Sequence, residues 1–187
     1  MRVQIFDGLP ASRGSVVGTG MTNANWKELR NRKDGHGSKD TYYVRAHLLN
    51  NNIGGSGTDW DNLSILTRTA NNRDWYEDGS HETKIEVRAK NLVKDGKSFI
   101  YIVTANYGRS KNQALLNQIP TDLTLSVSEK DTLTKIVEAE EFVPTGFVCT
   151  ITELDPSDGS ENQSSNYNIN EIVVNPIENN NISDYSL

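Results

Sequence analysis

Cysteine is almost missing from this 187-residue chain, which carries Cys149 and no other. An internal disulfide and a multi-cysteine zinc site are therefore excluded. Set in "FVCTI", Cys149 reads as a buried strand residue rather than a reactive thiol. Histidine is scarce as well, with only His36, His47 and His81, so tight zinc binding through several imidazoles is not expected. Long apolar runs are lacking. None approaches the ~20 residues of a membrane span, and "MRVQIFDGLP" has no signal-peptide core; no membrane partner is expected. Hydrophobic residues make up 35% of the chain, low but enough for one domain with its own core.

The formal net charge of −6 argues against a polyanion partner until its distribution is considered. Residues 1–110 hold 16 Lys and Arg against 12 Asp and Glu, a net of +4, whereas residues 111–187 hold 3 against 13, a net of −10. This asymmetry permits a local polyanion site beside an acidic flank.

Strand signals occur at "RVQIF", "TYYVRAHLL", "NLSILT", "SFIYIVTANYG", "DLTLSVSE", "TKIVEAEEF" and "GFVCTITEL". "NWKELR" reads as a short helix and "RTANNRDWY" as a short helix or turn. In "HETKIEVRAKNLVKDG", Ile85, Ala89, Leu92 and Val93 share a helical face, and Asp-Gly ends the run. From Asp155 the composition turns to Asp, Ser, Glu and Asn. That segment alone buries little surface and is expected to be dispensable for folding, although "INEIVVNP" fits an edge strand.

The stretch of most chemical interest is "YYVRAHLLNNNIGGSGTDWDNLSILTRTANN". Phosphodiester hydrolysis requires a base to activate water and a hard cation against the phosphate. Mg²⁺ keeps several waters and needs few protein ligands, all oxygens. One neutral His and one Asn carbonyl can thus form a minimal site. A strand ending in His47, a second strand, and a helix carrying Asn71 would bring both side chains together. The glycines of "GGSG" would let the chain turn; without a following Lys-Ser/Thr they are not a phosphate-binding P-loop.

The order "RAHLL", "GGSG", "DNLSILT", "ANNR", "KIEVRAKNLVKDGK", "FIYIVTANYG" resembles the DNA/RNA non-specific endonucleases of the ββα-metal, or His-Me finger, type, in particular the bacterial toxin-type subgroup. The match spans roughly residues 44–107. The resemblance implies an α+β fold, with a ββα-metal element on an antiparallel sheet and an acidic, strand-containing C-terminal half. With the change of composition at Asp155, the chain is expected to hold a nuclease-like domain over 1–154, followed by the acidic Asn/Ser-rich segment 155–187. His47 would be the general base, Asn71 the metal ligand, and Arg45 a phosphate or transition-state contact. Glu86 would support the metal waters, Asn62 would hold the loop–strand junction, and Asn72 and Arg73 would complete the helix motif. The cofactor implied is Mg²⁺ or Mn²⁺, and the substrate DNA and/or RNA.

The setting implied is a bacterial effector toxin, made in the producer's cytoplasm and delivered without a Sec signal peptide. An immunity protein or a secretion-system component would be its partner. The chain also departs from the family pattern. Val44 stands where members often carry Asp, Ala46 replaces the motif glycine, Ile65-Leu66 replaces Pro-Gln, and Asn72 precedes Arg73 where Asn-Arg is usual. A catalytically inactive, nuclease-like binding or cargo module is therefore the alternative, and a small-nucleotide phosphodiesterase the third reading. His47, Asn71, Arg45 and Glu86 also have structural readings, as a strand-end residue, a helix cap, a solvated side chain and an ion-pair partner. His36 reads as a loop residue, and His81 as a helix cap or a neighbour of the site. Trp26, Trp60 and Trp75 read as core or loop anchors.

Overall fold

The computed structural model describes residues 2–6, 14–18, 23–35, 40–72, 79–177 and 181–187. Its main sheet has the order β1 (Arg2–Phe6), β4 (Phe99–Asn106), β5 (Gly146–Glu153), β6 (Ile169–Val174), and every neighbouring pair is antiparallel. A separate antiparallel ribbon pairs β2 (Tyr43–His47) with β3 (Leu63–Thr67). The helices are α1 (Ala24–Leu29), α2 (Arg68–Asn72), α3 (Val87–Lys94), α4 (Gln113–Gln118) and α5 (Val127–Glu140), and a π-helical turn, Glu82–Glu86, leads into α3. The architecture is mixed α and β with antiparallel sheets.

Strand alternation sets one face of the sheet inward. Phe99, Tyr101 and Val103 of β4, Phe147, Cys149 and Ile151 of β5, and Val173 of β6 form a buried layer. Ile85, Ala89, Leu92 and Val93 cover it from the π turn and α3, as the helical spacing predicts. Cys149 lies wholly inside, and burial pushes its thiol up to about 12. A second core joins Trp26 and Leu29 of α1, Leu115 of α4, and Leu133, Ile136 and Val137 of α5.

The ribbon lies between the two cores. Val44, Ala46 and Leu66 pack into the first, Tyr43 and Ile65 into the second. All five residues of β3 are buried, the polar Ser64 and Thr67 among them, so the strand is covered on both faces and shows no inside–outside alternation.

Two expected strands are not strands. "DLTLSVSE" is loop running into a helix start, and most of "TKIVEAEEF" lies within α5. Ser126 and Glu129 form a capping box there, and Leu133, Ile136 and Val137 recur at helical spacing, so the cap and the 3.6-residue period outweigh the β-formers.

The acidic segment is part of the same body. Its β6 pairs with β5, Val173 is buried in the first core, and Asn175 is fully buried. The Asn175 amide accepts from Thr67 N at 2.9 Å and donates to Pro144 O at 2.8 Å and Ile65 O at 3.4 Å, fastening β3 to the β5 side of the molecule. Tyr185 donates to Glu140 at 2.6 Å. A boundary at residue 154 falls between β5 and β6, two paired strands of one sheet.

At the centre of the second core, Arg32 Nη1 lies 2.8 Å from Glu140 Oε1, with both side chains almost fully buried. Tyr43 donates to the same carboxylate at 2.6 Å. The Arg32 guanidinium also lies over the rings of Tyr42 and Tyr185, 3.8 and 4.1 Å from their centroids. Burial alone would lower Arg32, but Tyr43, Glu140 and the neighbouring tyrosines hold it above its ordinary value.

Candidate active site

His47 ends β2 and is half-buried. Alternation places it on the same face as Arg45, opposite Val44 and Ala46. Residue 44, where the nuclease pattern often has Asp, thus packs against the first core. The His47 ring has a fixed partner, because its Nε2 lies 2.9 Å from the main-chain oxygen of Ser15. A carbonyl oxygen only accepts, so Nε2 carries the hydrogen and Nδ1 keeps its lone pair.

The 14–18 segment that supplies this carbonyl runs along the glycine-rich loop. Gly14 N donates to Asn51 O, Ser15 N to Gly55 O, Gly18 N to Gly57 O, and Gly57 N to Ser15 Oγ. The close approach requires glycine. A Cβ on Gly57 would sit 2.2 Å from Val16 O, and one on Gly55 would sit 1.6 Å from Leu49 O. The "GGSG" glycines therefore do more than turn the chain: they let three backbones pack behind His47.

Asn62 is fully buried and clamps the same loop. Its Oδ1 accepts from Leu49 N at 3.0 Å, and its Nδ2 donates to Leu49 O at 3.1 Å and Ser56 O at 3.0 Å. Arg45 donates to Gly18 O at 3.0 Å and lies over Trp26, 4.9 Å from the ring centroid. Partial burial, with Arg30 nearby, lowers it below the usual guanidinium value.

Glu86 closes the π turn, a feature common at functional sites, and is largely buried. Asn50, three residues past His47, donates to its Oε2 at 3.0 Å. Burial pushes the Glu86 carboxyl up, partly offset by Asn50 and Lys90. His81 does not cap its helix with its side chain. Its ring is buried against Phe147, with neither nitrogen hydrogen-bonded. Burial, with Lys90 adding to it, pushes His81 down to about 4. The ring is therefore neutral near pH 7, and the 3.7 Å approach of Nδ1 to Glu86 is a polar contact rather than an ion pair.

Asn71 is half-buried and Asn72 exposed, both on α2. That helix touches β2, which carries His47, and the π turn, which carries Glu86. Arg73, Trp75 and His36 lie outside the described residues. Trp26 is buried in the second core, and Trp60 is half-buried against it. The donors on these elements are hard oxygens, the Asn71 amide and the Glu86 carboxylate. Among the described residues no three His, Cys, Asp or Glu side chains cluster to hold a metal. Such a donor set fits a cation that keeps most of its own waters.

No family model matches the chain, and no curated protein matches it. Among solved structures it is similar to a crystal structure of NucA from Streptococcus agalactiae with no metal bound. The TM-score is 0.46 and the identity 12%, over 94% of this chain and 72% of that one. The likeness is too shallow to assign an activity. Among the described residues no helix is long and apolar enough to cross a membrane.

Sequence reasoning missed Ser15 and Asn50. Ser15 acts through its main-chain oxygen, which no side-chain pattern signals. Asn50 sits in "NNN", where nothing distinguishes it from its neighbours.

Proposed function

We propose that this chain is a metal-dependent nuclease that hydrolyses phosphodiester bonds of DNA or RNA without sequence preference. The observation that supports this most is the strand-end His47, on a β2–β3–α2 unit, with Nε2 committed to the Ser15 carbonyl. That bond holds the ring and leaves Nδ1 as the base.

In this reading Nδ1 takes a proton from the attacking water. The Ser15 carbonyl then stabilises the imidazolium, because a hydrogen bond from a charged donor is stronger. Arg45, on the same face, places positive charge where the phosphate gains negative charge. Asn71 would hold Mg²⁺ or Mn²⁺ through its amide oxygen, and the cation would supply positive charge against the leaving oxygen. Glu86, largely buried and anchored by Asn50, would offer its carboxylate to the metal's waters, and Asn62 keeps the loop behind His47 in register.

Plasmid nicking with added Mg²⁺ tests the proposal. Wild type should cleave, EDTA should stop cleavage, and His47→Ala should lower the rate by roughly 10²–10⁴-fold. Equal cleavage by His47→Ala would refute the assignment of the base. No cleavage at all, with nucleic-acid binding retained, would point to a binding module. The effector-toxin part of the reading is tested by expression in bacterial cytoplasm, where wild type should arrest growth and His47→Ala should not.

A further inference from the structure

We propose that a cleft floored by β3, the strand paired with the one that carries His47, is a nucleobase pocket, and that the protein therefore takes single-stranded or locally unpaired nucleic acid. This deepens the nuclease reading and rests on it. The cavity holds about 570 Å³, within the usual range for a small-molecule site. Its floor includes Leu63 and Ile65 of β3. Their cross-strand partners are His47 and Arg45, and paired residues of a ribbon project from the same face. A nucleotide whose phosphate lies at His47 thus has its base within reach of the cleft.

The lining suits a base better than other ligands. Tyr107 is 64% exposed and Phe142 55% exposed, and both line the cavity together with Trp60. Large aromatic rings left open on one concave wall offer flat surfaces for stacking. Arg109 also lines it. Its guanidinium is fixed by main-chain oxygens, Asn175 O at 2.7 Å, Pro144 O at 3.1 Å and Val143 O at 3.4 Å. These partners are neutral, so Arg109 keeps its positive charge in a cavity that is also lined by the Glu141 carboxylate, itself paired with Lys111 at 3.7 Å. Asn23 lines the cavity at the start of α1. Its Oδ1 caps Trp26 N at 2.8 Å, so its amide nitrogen remains a donor for a base edge.

A base inside an intact duplex has its faces stacked and only its edges on view, so a pocket of stacking surfaces requires an unstacked base. That requirement sets the substrate class.

Anisotropy titrations of the full chain in EDTA separate binding from cleavage. The probes are a short labelled oligothymidylate, the same strand with abasic sites, and a matching duplex. The base-bearing strand is expected to bind about tenfold or more tighter than the abasic one, the size of one good stacking contact. Tyr107→Ala and Phe142→Ala should each remove most of that difference while leaving abasic binding unchanged, and Tyr107→Trp should restore it. Equal binding of base-bearing and abasic strands by wild type overturns the proposal, as does unchanged discrimination in both alanine variants. Base-dependent binding by a wild-type protein that cleaves neither plasmid, single-stranded DNA nor RNA in Mg²⁺ would sink the nuclease reading and leave the pocket standing. Nicking without base discrimination would do the reverse.

Discussion

Replacing Glu140 with Gln should cost this protein a large part of its stability, because the substitution keeps the shape of the side chain and removes one charge of a buried pair. Arg32 and Glu140 are 1% and 2% exposed and meet at 2.8 Å. Tyr43 and Tyr185 each donate to the carboxylate at 2.6 Å. Removing one partner of such a pair leaves an uncompensated buried charge and costs about 3–5 kcal/mol. In a domain of this size each kcal/mol moves Tm by about 2–4 °C, so Tm should fall by roughly 6–20 °C. Urea unfolding followed by circular dichroism measures the loss directly, with the denaturant slope unchanged if the variant stays two-state. Adding Arg32→Met to Glu140→Gln should recover part of it, since no buried charge then remains and the amide still serves the two hydroxyls. A loss below about 1 kcal/mol for Glu140→Gln, against the 3–5 expected, would refute the reasoning. It would mean that water reaches the pair in solution.

His81 gives a pH dependence of definite sign. Its folded value of about 4 lies below the ordinary 6.5, so its contribution to stability is complete above pH 6.5 and is lost as pH falls towards 4. At about 1.4 kcal/mol per pH unit the full loss approaches ~3 kcal/mol. Urea titrations should show His81→Met flattening that decline, while Glu86, raised by burial, acts in the opposite sense in both proteins; identical pH profiles would contradict the burial of a neutral ring. Gly57→Ala pushes a Cβ to 2.2 Å from Val16 O, so it should displace the 14–18 segment, release His47 from Ser15 and abolish cleavage; nicking at the wild-type rate would argue against tautomer control. Deleting residues 155–187 removes β6, Asn175 and Tyr185, and should abolish cooperative unfolding; a truncated chain with a wild-type melting curve would contradict the packing of that segment.

The elements that the sequence announced were those whose period was unambiguous. β4 alternates along its length, and α3 carries its apolar face at helical spacing. The ribbon was legible because Tyr43–His47 is rich in β-formers and β3 carries Leu63, Ile65 and Leu66. α5 was misread because Leu123, Leu125 and Val127 alternate like a strand across the start of the capping box at Ser126, and no local rule says where one period yields to the other. The acidic segment misled through composition: a chain poor in apolar residues still packs when a few of them, Val173 and Tyr185 here, meet a core already formed by distant parts. At the candidate site, the side chains His47, Arg45, Asn62 and Glu86 were named by the resemblance to the endonuclease pattern. Their partners were not, because Ser15 contributes a main-chain oxygen and Asn50 its amide through a fold made elsewhere.

Asn175 bonds Thr67 across a separation of 108 residues, and that distance has a consequence for timing during synthesis. Closing so long a loop is entropically unfavourable until the intervening chain can collapse, and pairings of this separation form late and slowly. While the chain is still emerging from the ribosome, β2 and β3 can meet, but the amide that fastens β3 has not yet been made. The β5 strand beside it arrives only shortly before. The ribbon that carries His47 is therefore completed only once residue 175 has been made, and a chain interrupted before that point would hold every candidate catalytic side chain without the scaffold that aligns them.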